Sequence, residues 1–246
     1  MTPILTITAP TTLRDRDLHV LHAFDRAVRL HLRDLLAAVR RSEPRDLDAA
    51  TELLHWTDRS RTVVVRHHGV IDGAIAPLLV EVDPLATNLV GAVRAGHRIV
   101  GEVLDDLVSA LAAWRRAIAV GGEAAERSWR GTVVAVERAV VAVDDQVARE
   151  QATFQPALVA TVAPRAFDEV RGELLLHADP ALLPFLFPWI VRGADPVEEE
   201  RLVAQLPRMV RTVHRFVWKP SAARSHPRLA AAAIAVDRGL VEPSAA

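Results

Sequence analysis

The chain has 246 residues, half of them hydrophobic, with 30 basic residues against 31 acidic ones. That is enough apolar material for a sizeable core, and the near-zero net charge leaves no field to draw a nucleic acid or an anionic membrane. Cysteine and tyrosine are both absent, which excludes disulfides, thiolate metal sites, and either residue as nucleophile, acid or radical.

Residues 1–10 are apolar and Thr-rich but lack the basic start and long apolar stretch of a signal peptide. Charges interrupt the apolar runs before the roughly 20 residues that a bilayer span needs. The expectation is a cytoplasmic protein with neither membrane nor nucleic acid as partner. Residues 13–41 predict a long amphipathic helix, with Leu18, Leu21, His22, Val28, Leu32, Leu35 and Val39 near helical spacing. Ser42-Glu43-Pro44 breaks it, and Asp48 is placed to cap a second helix running to about Val82. On that helix His68 and Asp72 share a face at i,i+4, while His67 stacks over Ile71. A third helix over 89–118 turns Val93, His97, Val100, Leu104, Leu107 and Leu111 toward the core. Gly121-Gly122 separates it from a fourth over 124–160, whose stripe is Val133, Val136, Val140, Val143, Val147, Phe154 and Leu158. Valine favours strands, but the period and length of these runs decide for helix. The expected fold is all-α: an antiparallel four-helix bundle over 1–162 with a helical C-terminal extension over 163–246 packed on it.

In the extension, prolines at 180, 184, 188, 196 and 207 cut the chain into pieces at 167–177, 182–191 and 196–217, and 228–240 can form one more helix. Phe185, Phe187 and Trp189 need an apolar partner surface. Packing against the bundle is the first reading and a homodimer contact the second. There is no Gly-rich phosphate loop and no Ser-His-Asp arrangement. His19, His31, His55, His177, His214 and His226 read as surface or extension residues, and Arg26 and Arg29 as a solvated face.

His22-Ala23-Phe24, His67-His68 with Asp72 and Pro77, Gly96-His97-Arg98, Ala148-Arg149-Glu150 with Pro156, and Gly193-Ala194-Asp195-Pro196 follow one another in order. In that order the chain resembles the hemerythrin-like (HHE cation-binding) family, and in particular its long actinobacterial members with a helical extension, over roughly residues 13–220. The resemblance implies histidine ligands from the bundle helices and two carboxylates bridging two irons. Aligned on Pro77, His67 takes the helix-two histidine place, but Ile71 stands where the carboxylate belongs. Aligned on Arg149-Glu150, Gln146 stands at the helix-four histidine and Gln151 at its carboxylate. Two closely spaced cations need bridging anions to offset their repulsion, and neither isoleucine nor glutamine supplies one. Asp72 and Glu150 lie one position away, a rotation of about 100°, and a shifted register, for instance through His68 and Asp72, restores a carboxylate.

The expected pocket therefore holds one metal through His22, His67 and His97, with Asp72 or Glu150 adding a carboxylate and Gln146 and Gln151 hydrogen-bonding what is held there. Iron is the expected cofactor, and a small molecule or diatomic gas the expected ligand, in oxygen, nitric oxide or redox chemistry. The alternative is a repurposed bundle without non-haem metal: a haem-binding or cofactor-free specialised-metabolism enzyme, or a plain binding protein.

Overall fold

The computed structural model describes residues 13–176, 183–204 and 211–212. The Thr-rich leader, the helix expected at 228–240, the ends of the pieces expected at 167–177 and 196–217, and His177, His214 and His226 lie outside the described residues. Among those residues the chain is helical and contains no strand.

A short 3-10 turn, Asp15–Leu18, leads into α1, His19–Arg41. The next arm begins with α2, Leu47–Val70. Its cap is Asp46, whose carboxylate accepts the Ala49 N–H at 2.9 Å. Asp48, the expected cap, falls in the first turn, where its negative charge faces the positive end of the helix dipole. The arm continues through one π-helical turn, Ile71–Ile75, into α3, Ala76–Val82. The third arm is α4, Thr87–Val120, and the fourth runs as α5, Gly122–Arg149, through a second π turn, Glu150–Phe154, into α6, Gln155–Thr161. Gly121 and Gly122 make the tight reversal between the last two arms at φ 77° and 57°, a left-handed backbone that glycine adopts without steric cost. In the extension, α7 is Pro164–Leu176, α8 Leu183–Ile190 and α9 Pro196–Ala204.

With such short connections, successive arms run antiparallel. The packing closes a ring in which α4 lies against α2 and α5, and α1 against α5 and α2. Two apolar clusters stack along this bundle. The larger holds Phe24, Leu35, Leu53, Val64, Val100, Leu107, Trp114 and Val147, together with Phe185, Phe187 and Trp189 of α8. The smaller holds Leu18, Leu21, Ile71, Ile75, Leu79, Val93, Phe154, Leu158 and Phe167. The aromatic run of the extension therefore packs on the bundle: the Trp189 ring meets Phe24 edge-on at 5.3 Å, and Phe185 meets Trp56 at 5.2 Å.

One described helix, the arm Leu47–Val82, is long and apolar enough to cross a membrane by length and composition, its best window having a mean hydropathy of 1.4. Charges interrupt this arm less than its sequence suggests. Its Leu53, Val63, Val64, Ile71, Ile75 and Leu79 lie buried in the two clusters, and core burial in a bundle accounts for that hydropathy.

Candidate metal centre

Between the two apolar clusters lies a layer of polar side chains drawn from all four arms: Asp25 of α1, His67 of α2, His97 of α4, and Gln146, Glu150 and Gln155 of the fourth arm, each buried. Buried polar groups cost stability unless they find partners, and the hydrogen bonds here sort most of the layer into two groups.

Both π turns open onto this layer, and each is followed by a proline, Pro77 or Pro156. Proline offers no N–H, and its ring crowds the carbonyl four residues back. The turn before it widens instead, so Ala76 N–H reaches the Ile71 carbonyl and Gln155 N–H the Glu150 carbonyl, five residues back in each case. The Asp72 carbonyl, one of the acceptors that Pro77 cannot serve, receives the Arg94 guanidinium of α4 at 2.7 Å. Such turns fit one extra residue into a helix and collect at functional sites.

The first polar group centres on His97. Its Nδ1 lies 2.8 Å from Asp72 Oδ1, and its Nε2 lies 2.9 Å from Glu150 Oε1. Gln146 Nε2 donates to the same Glu150 oxygen at 2.6 Å. The His68 ring stacks on the His97 ring with centroids 3.9 Å apart. One donor atom each from His68, His97 and Glu150 lie within 4.8 Å of one another. His68 Nδ1 is buried with no hydrogen-bond partner, a lone pair or proton left without use inside the protein.

Electrostatics separates these imidazoles. Burial alone would lower the His97 pKa, but the hydrogen bond and charge of Glu150 and the charge of Asp72 raise it above its ordinary value. Carboxylate oxygens accept, so His97 donates from both nitrogens as an imidazolium. Burial, reinforced by the His97 charge, pushes His68 well below its ordinary value and His67 down to about 3. Both are neutral at pH 7.

The second group centres on Asp25. Its Oδ2 accepts from Gln151 Nε2 at 3.2 Å and Gln155 Nε2 at 3.1 Å, and Gln155 Oε1 lies 2.9 Å from His22 Nε2. Burial, then the negative charge of Glu150, raises the Asp25 pKa to about 7 against the pull of the two amides and Arg29. Between the groups is a cavity of about 20 Å³ lined by Asp25, His67, His68, Gln146 and Glu150, among others. That volume holds about one water molecule.

The histidines expected to converge are thus divided. His97 sits in the first group with Asp72 and Glu150, the two displaced carboxylates, both of which face its ring. His68 takes the place beside it that the alignment gave to His67. His67 lies flat on Phe24, centroids 3.5 Å apart, at the cavity wall, and His22 belongs to the Asp25 group. Gln146 supports Glu150, whereas Gln151 turns to Asp25. Asp25, Gln155 and Arg94 join the site without a mark in the sequence pattern. The prolines at 77 and 156 were the available signal that the helical register slips near all three.

His31, expected at the surface, is buried, 3 % exposed. The Trp56 indole N–H donates to its Nδ1, so Nε2 carries the proton and donates to Ser60 Oγ at 2.8 Å, which in turn donates to the Thr57 carbonyl at 2.9 Å. With Nδ1 already accepting and Nε2 protonated, this Ser–His pair has no free base and serves as core structure. Arg26 and Arg29, expected on a solvated face, are instead part-buried and paired with Glu198 and Asp144.

Fold and site define an all-helical bundle with a buried His/His/Glu cluster able to chelate a metal ion. No family model, no curated protein and no solved structure matches the chain.

Proposed function

We propose that the protein is a divergent hemerythrin-like bundle that binds a single iron ion through His68 Nδ1, His97 Nε2 and Glu150, and acts on oxygen, nitric oxide or a related small redox ligand. Two observations carry this reading: one donor atom each of His68, His97 and Glu150 lie within 4.8 Å of one another, and His68 Nδ1 is buried without a hydrogen-bond partner. Two imidazoles with one carboxylate are the donor set of mononuclear non-haem ferrous sites.

The surrounding side chains fit that role. Asp72 holds His97 Nδ1–H, the carboxylate–histidine support that fixes a ligating ring. Gln146 orients Glu150. His68 is already neutral, and His97 must surrender its Nε2 proton before it can ligate, so metal uptake releases a proton and weakens as pH falls. Asp72 and Glu150 together offset the two charges of a ferrous ion. Bound iron supplies open coordination positions and one-electron redox chemistry. The small cavity beside the cluster favours a ligand of about a water's size and leaves no room for a haem at this position.

The test is metal content after expression in metal-supplemented medium, with cobalt(II) titration of the metal-free protein followed by its visible spectrum. One site is expected, lost in His68→Ala and in His97→Ala. Asp72→Asn keeps the ligands and lowers affinity by about 10–100-fold. Metal content no higher than that of the alanine variants refutes the reading. It would leave the alternative of a metal-free polar pocket, favoured by one observation: His97 already satisfies both ring nitrogens with carboxylates.

A further inference from the structure

The aromatic run of the extension is taken up by the bundle, which leaves another surface without a partner. A groove of about 540 Å³ runs along the outer face between α4 and α5. Ile99 and Val103 of α4 and Val134 and Val141 of α5 wall it, and Ile99, Val134 and Val141 stay exposed. Charges of both signs stand among them. Glu137 and Arg149 are engaged within the chain, by Arg40 and by Gln146. Arg138 comes only within 3.8 Å of Asp106, both side chains being more than half exposed. Asp145 has no hydrogen bond or ion pair among the described residues, so a carboxylate lies along this apolar face with no cation to answer it.

The charges on α5 complement a second copy of themselves. Residues 134, 138, 141 and 145 recur three or four apart and share one face of the helix. Arg138 and Asp145 stand about two turns, or about 10 Å, apart on that face. A copy laid antiparallel on α5, with a two-fold axis beside Val141 and Ala142, sets Arg138 of each chain against Asp145 of the other. Val141 then packs at the centre between two ion pairs, and Val134 falls against the aliphatic stem of the partner's Arg149. A parallel copy would set each charge against its own kind. Self-complementarity of this sort is what a two-fold interface requires.

We propose that the α4/α5 groove docks a second copy of the chain, in a two-fold dimer whose α5 helices pack antiparallel at Val141. Two helices about 10 Å across, exposed over about 20 residues at about 1.5 Å each, present roughly 600 Å² per copy. That is the low end for a specific interface, so the dimer forms at micromolar concentration.

Sedimentation velocity of the full chain, 26.9 kDa as a monomer, across micromolar concentrations tests this, and a reversible dimer is expected. Arg138→Glu and Asp145→Arg each place two like-charged pairs across the axis and should weaken the dimer roughly tenfold. Val65→Asp, on the exposed face of α2, should leave it unchanged. An equimolar mixture of the two charge-reversed variants should regain native affinity, because in the mixed dimer every pair is again of opposite sign; this rescue also shows that both variants fold. The double variant should regain it too. A monomer at every concentration overturns the proposal, whether the groove stays open or is covered by another part of the chain. A dimer indifferent to both charge reversals overturns it as well, since it must use another face.

Discussion

His97 and His67 are both buried, yet their neighbours drive them to opposite charge states. Two carboxylates hold His97 protonated, whereas His67 lies on a phenyl ring and stays neutral. A pH profile of stability follows for the metal-free protein. His67 and His68 have folded pKa values below the unfolded one near 6.5, so the unfolded chain binds more protons and stability falls as pH drops below 6.5, for His67 down to about 3. Asp25, raised to about 7, works the other way: the folded state holds its proton, so it favours folding as pH falls from 7 toward 3.8. Two histidines outweigh one aspartate on the acid side. The His97 contribution is fully present below 6.5 and is lost as pH rises through its raised folded value. Maximal stability is therefore expected close to neutral pH, measured as denaturant midpoints across the range. His67→Phe keeps a ring on Phe24 and should flatten the acid limb by up to about 1.4 kcal/mol per pH unit, one proton's worth. An unchanged acid limb would show that His67 is not held neutral by the fold.

At the scale of elements, the π turns set which faces the second and fourth arms present. The first half of the second arm is anchored by Leu53, Trp56 and Val64 in one apolar cluster, and α3 by Ile75 and Leu79 in the other. A straight α-helix of the same length cannot keep both anchors buried, because each residue turns the helix by about 100°. The extra residue between them is absorbed at Ile71–Ile75, where Gly73 faces open space. Deleting Gly73 should regularise the turn with both sets of anchors still buried, and so lower stability by much less than the roughly 2–5 kcal/mol that losing one large core side chain costs. It should still draw Asp72, which lies within the π turn, off His97, so that cobalt(II) affinity falls while the fold survives. A deletion variant with native cobalt(II) affinity would show that the π turn does not place Asp72 at His97, and one that loses several kcal/mol would show that the turn does not absorb the extra residue. Asp72→Asn, by contrast, removes one carboxylate from His97 and leaves the helix path untouched.

Across the whole molecule, two apolar clusters clamp a polar layer, and the extension contributes to one of them. Trp189 of α8 packs on Phe24, which in turn lies flat against His67, so the extension reaches the wall of the inner cavity through one intervening ring. Trp189→Ala should cost about 3–5 kcal/mol and change the titration of His67, followed by its ring proton resonances. Unchanged His67 titration in a destabilised variant would confine the extension to a packing role. The four arms, their order and their apolar stripes were legible in the sequence, because a run of 30 residues repeats its 3.6-residue period often enough to average out local exceptions. The aromatic run at 185–189 announced a buried surface for the same reason of bulk. The membership of the site was not legible to that precision. His67 and His68 are neighbours in sequence, and which one enters the layer turns on a single inserted residue that a periodic pattern cannot register. Asp25, Gln155 and Arg94 carried no signal on their own, since each gains its role from a partner on another helix. The sequence by itself determined a helical bundle rich in histidine near its middle. Only the tertiary structure decided that His68, His97 and Glu150 meet, because burial of two apolar clusters, with prolines at 77 and 156, fixes the turn of each helix to within one residue.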